Sequence, residues 1–165
     1  MQSSARTDTM RFLLLTKSFT PTQYESALDS WTWLDLSGKT PVLASLFGHV
    51  FLAAEDGYWF LESLEGTLTR RWPTREAVTA DLDSEAGQDE LLLGALAESA
   101  NARGLVLEDH EVYDFKVAPI LGAGFGADNI TKRDFVVALT LAGQLHSQLR
   151  NTPPRTEVSG FGFDA

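Results

Sequence analysis

The chain has 165 residues, of which 44% are hydrophobic and 22% charged, as in an ordinary globular domain. It has no cysteine, which excludes disulfides and thiolate chemistry, and its net charge of −10 disfavours binding to nucleic acid phosphates. No apolar run approaches the roughly 20 residues of a membrane helix, and no signal-peptide core is present. We expect a cytoplasmic protein that does not enter a membrane. Residues 1–10 are predicted to be a flexible N-terminus and residues 11–165 a single domain.

The first half of the chain predicts one helix and three strands. Residues 11–19 favour a strand, and Thr20-Pro21-Thr22-Gln23 combines an N-cap, a first-turn proline and a capping-box glutamine, which indicates the start of a helix. Two β-rich runs, 47–54 and 58–64, are joined by Asp56-Gly57, a strong hairpin signal. A third run, 67–72, would complete a meander.

The second half predicts further helices around a single strand. Pro73-Thr74 opens a short helix that ends near residue 82, residues 83–88 read as a polar loop, and a helix over 91–103 ends at Gly104. A strand over 115–121 leads into a glycine loop. The sequence therefore predicts an α+β fold in a single domain, with a mostly antiparallel sheet (a hairpin or meander plus a strand from the C-terminal half) packed against three to four helices.

The last predicted helix is the candidate central packing element. It starts near Thr131, which forms a capping-box-like pair with Asp134, and it stops at Pro153-Pro154. Its apolar residues recur at steps of three and four, which places them on one face. They are Phe135, Ala138, Leu139, Ala142, Leu145 and Leu149.

The negative charge is concentrated in one segment. Between Glu76 and Asp114 there are eleven acidic residues and one base, Arg103, so this acidic block carries the whole net charge of −10. Such a block suits a basic partner, although a solvated face that only maintains solubility is the alternative. Two acidic patches are the predicted partner-binding residues: Asp81, Asp83, Glu85, Asp89 and Glu90 in the first, and Glu108, Asp109 and Glu111 in the second. Trp33 and Trp72, which border turns, are candidate hot spots of the same interface.

Other kinds of site find less support. Gly122, Gly124 and Gly126 follow a predicted strand, but the spacing differs from the dinucleotide fingerprint and Asp128 would repel a phosphate, so a turn that lets strand and helix pack closely is favoured. The histidines, at positions 49, 110 and 146, lack the spacing of zinc ligands. No Gly-x-Ser-x-Gly elbow occurs. We predict no catalytic residue, no metal and no cofactor, and hence a protein that is not an enzyme. A small-molecule- or nucleotide-binding domain, possibly with an enzymatic activity, remains the alternative.

Several short motifs carry a resemblance to a known family. They are Tyr113-Asp114-Phe115, Pro119-Ile120-Leu121-Gly122, Gln144-Leu145-His146, Leu46-Phe47-Gly48-x-Val50-Phe51 and Asp56-Gly57-Tyr58. Over roughly residues 41–160 the chain resembles the C-terminal domain of immunity proteins that accompany type VI secretion DNase effectors, a domain that follows a GAD-like domain in larger members. It departs from that pattern at Ala123, where members often have a second glycine.

The resemblance implies an immunity protein, or antitoxin, that neutralises a cognate secreted bacterial toxin by direct protein–protein binding. The toxin it implies is a nuclease, whose active-site cleft must be basic in order to hold phosphates. The acidic patches would then fill that cleft in place of nucleic acid. Whether the active site is occluded or another surface is bound stays open at this point, as does the oligomeric state.

Overall fold

Five antiparallel strands form the main sheet, in the order in which they occur along the chain. They are β1 (Thr16–Lys17), β2 (Thr40–Ser45), β3 (Val50–Ala54), β4 (Gly57–Glu62) and β5 (Thr67–Trp72). Two later strands, β6 (Glu111–Phe115) and β7 (Ile130–Asp134), pair with each other in a separate antiparallel hairpin. The computed structural model describes residues 11–122 and 124–151. The predicted flexible N-terminus at residues 1–10 therefore lies outside the described residues, as do residues 152–165.

The helices cover both faces of the sheet. They are α1 (Pro21–Leu28), α2 (Arg75–Leu82), α3 (Glu85–Leu92), α4 (Gly94–Ala102) and α5 (Phe135–Arg150), and residues 11–14 are also helical. Val50 and Leu52 of β3 pack with α1 and α5, whereas Phe51 between them packs with α2, α3 and α4. Since strand side chains alternate, a strand covered on both faces reads as a continuous apolar run. The α+β prediction is confirmed.

Local signals account for several of these elements. The side chain of Thr20 accepts a hydrogen bond from the Gln23 backbone N–H, and the Gln23 side chain accepts one from the Thr20 backbone N–H, so the predicted capping box is formed. The Thr74 side chain accepts a hydrogen bond from the Ala77 backbone N–H and caps α2 without a reciprocal bond. The predicted hairpin at Asp56-Gly57, formed by β3 and β4, is confirmed, and so is the third strand of the meander, β5.

The region between α2 and β6 differs from the prediction. Of the predicted loop 83–88, residues 85–88 are helical, because the Ser84 side chain accepts a hydrogen bond from the Gly87 backbone N–H and caps α3. The predicted helix over 91–103 is broken at Leu93, whose φ of 53° is left-handed, and α4 begins after it. Two short helices with a corner between them therefore replace one loop and one long helix.

The structure differs from the prediction in four other places. Residues 11–14 are helical, and only Thr16–Lys17 form a strand there, while β2 was missed. The predicted strand over 115–121 ends at Phe115, and Pro119–Leu121 form a 3₁₀ turn. The last helix begins at Phe135, since Ile130–Asp134 pair with β6 as a strand and the Asp134 side chain accepts the Val137 backbone N–H. The C-terminal-half strand thus lies in its own hairpin.

The position of α5 depends on a close contact with the turn after α1. The indole Nε1–H of buried Trp31 donates to the Leu139 carbonyl over 2.9 Å. One turn further along α5, Gly143 lies so close to Ser30 that a Cβ atom there would be 2.7 Å from the Ser30 carbonyl oxygen and would overlap its hydroxyl. Only glycine fits at this crossing.

The Gly143→Ala variant should therefore lose stability. Overpacking costs about 1–3 kcal/mol, which exceeds the roughly 0.5–1 kcal/mol that alanine gains over glycine inside a helix. Urea denaturation would measure the net loss in unfolding free energy. Gly126→Ala is the matched control, because a Cβ atom at Gly126 meets nothing within 4 Å. Equal stability of the two variants would contradict the close contact.

Candidate functional site

The acidic block is partly neutralised by bases from elsewhere in the chain. Asp89 and Glu98 both pair with Arg11, at 3.0 and 2.8 Å, and Glu90 pairs with Arg71 at 3.2 Å. Two further pairs involve the β6–β7 hairpin: Glu111 with Lys132 at 3.6 Å and Asp114 with Arg133 at 2.7 Å. Of the eight predicted partner-binding acids, Asp89, Glu90 and Glu111 are therefore in ion pairs.

Two more of the predicted acids, Asp81 and Asp83, are partly shielded from solvent. Asp81 accepts the indole N–H of Trp72 over 2.8 Å. Asp83 follows the last residue of α2, and its Oδ1 atom is shielded from solvent without a hydrogen bond among the described residues. Their carboxylates are half-buried, so they contribute less to an external surface than their place in the block suggests.

Three of the predicted acids are exposed and make no ion pair among the described residues. They are Glu85 at the start of α3, and Glu108 and Asp109 in the turn before β6. The carboxylate of the neighbouring Glu111 accepts the Glu108 backbone N–H, which holds the pKa of Glu111 below its usual range. Glu108 and Asp109 therefore sit on a turn fixed by hydrogen bonds, with their charges directed outward.

An apolar groove connects the two predicted patches. This α4 groove, of about 410 Å³, lies between α4, the residues before β1 and the turn before β6. Leu15 and Tyr113 form its buried floor, while Leu14 and Val106 are exposed at its rim. Glu98 lines one side and Asp109 the other. Because Glu98 shares Arg11 with Asp89, the groove joins the first patch to the second.

Lys17 also lines the groove, but its ammonium group is turned inward. It donates to the backbone carbonyl oxygens of Glu108 and Glu111, each at 2.6 Å. Burial lowers the pKa of Lys17, and the nearby carboxylates of Asp109 and Glu111 act against that shift. The lysine thus fastens the acidic turn to β1 and leaves the carboxylate of Asp109 as the outward charge.

The two predicted tryptophans are not exposed anchors. Trp72 is 4% exposed and belongs to the core against α2 and α3, so the prediction that it contacts a partner is wrong. Trp33 is partly buried: its ring stacks on Trp31, the Arg150 guanidinium lies over it, and its N–H donates to the Ser30 carbonyl. Large aromatic rings in a domain of this size are needed for the core, and Trp72 serves that purpose here.

A buried polar cluster, which the sequence did not predict, joins two of the histidines. His49 Nδ1 accepts the Ser63 backbone N–H over 3.1 Å, and His49 Nε2 lies 3.7 Å from a carboxylate oxygen of Glu62. His146 Nε2 donates to the Ser63 carbonyl over 3.0 Å, as expected for a hydrogen-bonded core histidine. Ser63 and Glu62 lie at the two ring nitrogens of His49, but in the reverse of a hydrolase triad, in which the serine faces Nε2 and the acid Nδ1. Moreover, His49 is 1% and Ser63 4% exposed, so a substrate would not reach them.

The glycine loop does not have the role predicted for it. Gly122 has a φ of 98°, which explains the glycine there, but a Cβ atom at Gly122 or Gly126 would meet nothing within 4 Å. Close packing of strand on helix is therefore not the reason for these glycines. None of the three glycines lines the α4 groove, and the small-molecule alternative stays a prediction.

The described residues contain neither a metal site nor a membrane-spanning helix. No group of three or more His, Asp or Glu side chains in residues 11–122 and 124–151 is arranged to hold a metal ion. None of the helices in the same ranges is both long and apolar enough to cross a membrane.

Comparison with known proteins supports the fold alone. No protein-family model matches the sequence, and no curated protein matches it. The chain is similar to Atu4351 from Agrobacterium tumefaciens, a crystal structure, with a TM-score of 0.52 and 19% identity over 79% of this chain. The chain spans 66% of the length of Atu4351, slightly less than two thirds. The likeness is consistent with the three-layer α+β arrangement described above.

The buried histidines make stability depend on pH. Burial lowers the pKa of both His49 and His146, so the folded state takes up protons less readily than the unfolded chain, whose histidines titrate near pH 6.5. The unfolding free energy should be highest above that pH and fall as the pH drops below it, by up to about 1.4 kcal/mol per pH unit for each histidine.

The His49→Asn variant tests this prediction, because the asparagine Oδ1 atom can still accept the Ser63 N–H. It should be less stable at pH 7 but show a flatter decline between pH 7 and 5.5 by chemical denaturation. His110→Asn, which replaces an exposed histidine, is the matched control. If the unfolding free energy of the His49 variant fell with pH as steeply as that of the unaltered protein, the predicted contribution of buried His49 would be wrong.

Proposed function

We propose that the protein is a cytoplasmic immunity protein, without enzymatic activity, that neutralises a cognate secreted toxin by direct binding. The observation that carries the proposal is the α4 groove: an apolar concavity with exposed Leu14 and Val106 at its rim and the exposed Asp109 in its lining. Glu108, next to Asp109 in the same turn, is also exposed. Apolar area supplies affinity, and unpaired charge at the rim supplies steering and orientation. The resemblance to immunity domains of DNase effectors supports the same reading.

The chemistry of a nuclease makes it a suitable partner. Its active site must hold phosphates and is therefore lined by cations, which an acidic surface can occupy in place of nucleic acid. Ion pairs within the chain leave fewer acids to contact a nuclease. Asp89, Glu90 and Glu111 already face cations of their own chain, so Glu85, Glu108 and Asp109 are the residues we assign to the partner.

Co-expression tests the function itself. The protein should restore growth to cells that express the secreted effector encoded beside it in its native genome, and the two should elute together in size-exclusion chromatography. An effector with nuclease activity should lose that activity in the complex. If the protein neither binds such an effector nor protects against it, the proposal fails.

Amide variants test the docking surface. The triple variant Glu85→Gln, Glu108→Gln, Asp109→Asn should associate with the effector about tenfold more slowly at low salt, with a weaker dependence of the rate on salt. The control triple, Glu25→Gln, Glu55→Gln and Glu65→Gln, removes three exposed acids outside the block and changes the net charge equally. Stopped-flow or surface plasmon resonance would measure both rates. Equal slowing would show that only the total charge matters.

A further inference from the structure

A second concavity lies on the other side of the β6–β7 hairpin. This α5 cleft, of about 180 Å³, separates α5 from the segment that follows β6. Leu141 and Leu145 of α5 form one wall, and Pro119 and Phe115 face them. The cleft has room for a large apolar side chain, and its walls are suited to one.

The surface around the α5 cleft is unusually apolar. Six large hydrophobic side chains here are each between 42% and 51% exposed: Val117, Ile120, Leu121, Phe125, Val137 and Leu141. They make up six of the ten exposed large hydrophobics among the described residues. They belong to one region, because Val117, Ile120 and Leu121 flank cleft-lining residues, and the Phe125 ring meets the edge of Phe115 at 5.5 Å. Several exposed apolar side chains close to one cleft favour an interaction site.

The charge at the α5 cleft is opposite to that of the rest of the molecule. Lys116 and Arg133 line it, and the only acid that does so, Asp114, is fully engaged: one oxygen accepts Arg133 Nε over 2.7 Å and the other the Phe115 backbone N–H over 2.8 Å. The Lys116 ammonium and the terminal amines of Arg133 have no partner among the described residues. In a chain of net charge −10, the cleft thus presents the Lys116 ammonium, which makes no ion pair among the described residues, and the outer guanidinium nitrogens of Arg133, which pairs with Asp114 only through Nε.

We propose that the α5 cleft is a second protein-docking site, which takes a segment with a large apolar side chain next to carboxylates. The apolar side chain would enter between Leu141 and Pro119, and a carboxylate would receive hydrogen bonds from Lys116 and Arg133. An anionic membrane surface offers a similar combination, but it would repel the net charge of −10, so a protein segment is the better match. The site is independent of the toxin-docking surface, because its charge has the opposite sign.

The chain contains only two isoleucines, which makes methyl NMR a direct test. Ile120 is exposed beside the α5 cleft, whereas Ile130 is 2% exposed in the core and serves as an internal reference. The probe is a short, capped peptide with a central Leu-Phe flanked by Asp and Glu. Titrated into the full-length protein with labelled isoleucine methyls, it should shift the Ile120 signal saturably and leave the Ile130 signal in place.

Matched peptides and variants define specificity. Replacing the peptide's acids with lysine, or its Leu-Phe with Ser-Ser, should abolish the shift. The Lys116→Gln variant should bind the acidic peptide about two- to fivefold more weakly, the range of an exposed ion pair, and Leu141→Gln about tenfold more weakly. Leu14→Gln, at the rim of the α4 groove, is the control and should bind normally.

Four outcomes would overturn the proposal. The first is an Ile120 signal that the acidic peptide does not shift, and the second is an equal shift with the lysine or the serine peptide. The third is an Ile120 signal that moves with protein concentration alone. The fourth is co-sedimentation of the protein with anionic vesicles. The third would show that a second copy of this chain covers the cleft, and the fourth that a membrane does. None of the four bears on toxin binding, so failure here leaves the proposed function standing.

Discussion

The contact between Gly143 and Ser30 fixes the position of α5, and much of the surface depends on that position. With Gly143 against the turn and the Trp31 indole on the Leu139 carbonyl, α5 can bury Phe135, Ala138 and Leu139 only against α1 and the sheet. The opposite side of the same helix then presents Val137 and Leu141 to solvent. A single close helix crossing therefore determines both the core on one side of the sheet and the apolar wall of the α5 cleft.

Ion pairs divide the acidic block into two groups with different roles. Arg11 holds Asp89 of α3 and Glu98 of α4 together across the left-handed corner at Leu93, so these acids contribute to the tertiary structure. Each such pair is partly exposed and adds little stability by itself, but a shared arginine with three hydrogen-bonded partners orders the local geometry. The acids without cations remain available to solvent or to a partner. Charge counted along the sequence therefore overstates the surface charge.

Two short-range signals were read correctly from the sequence, whereas the long-range contacts were not predicted. The capping box at Thr20 and the turn at Asp56-Gly57 act within four residues, so the sequence displays them. The partners of the acids lie far away in the chain, as with Arg11 and Glu98, 87 residues apart, and no periodic pattern encodes such a pair. The same holds for His49 and Ser63, which meet only because β3 and β4 pair. Strand β7 was missed because Thr131 and Asp134 also match a helix-start pattern, and pairing with β6 overrode it.

The β6–β7 hairpin connects the two surfaces. Tyr113 lines the α4 groove, and Asp114, the next residue, lines the α5 cleft, because successive side chains of a strand point to opposite sides. Lys132 and Arg133 divide in the same way, since Lys132 pairs with Glu111 beside the acidic turn and Arg133 faces the cleft. One short hairpin thus separates a groove rimmed by carboxylates from a cleft rimmed by cations. The proposed basic and acidic partners would therefore meet opposite sides of the same hairpin.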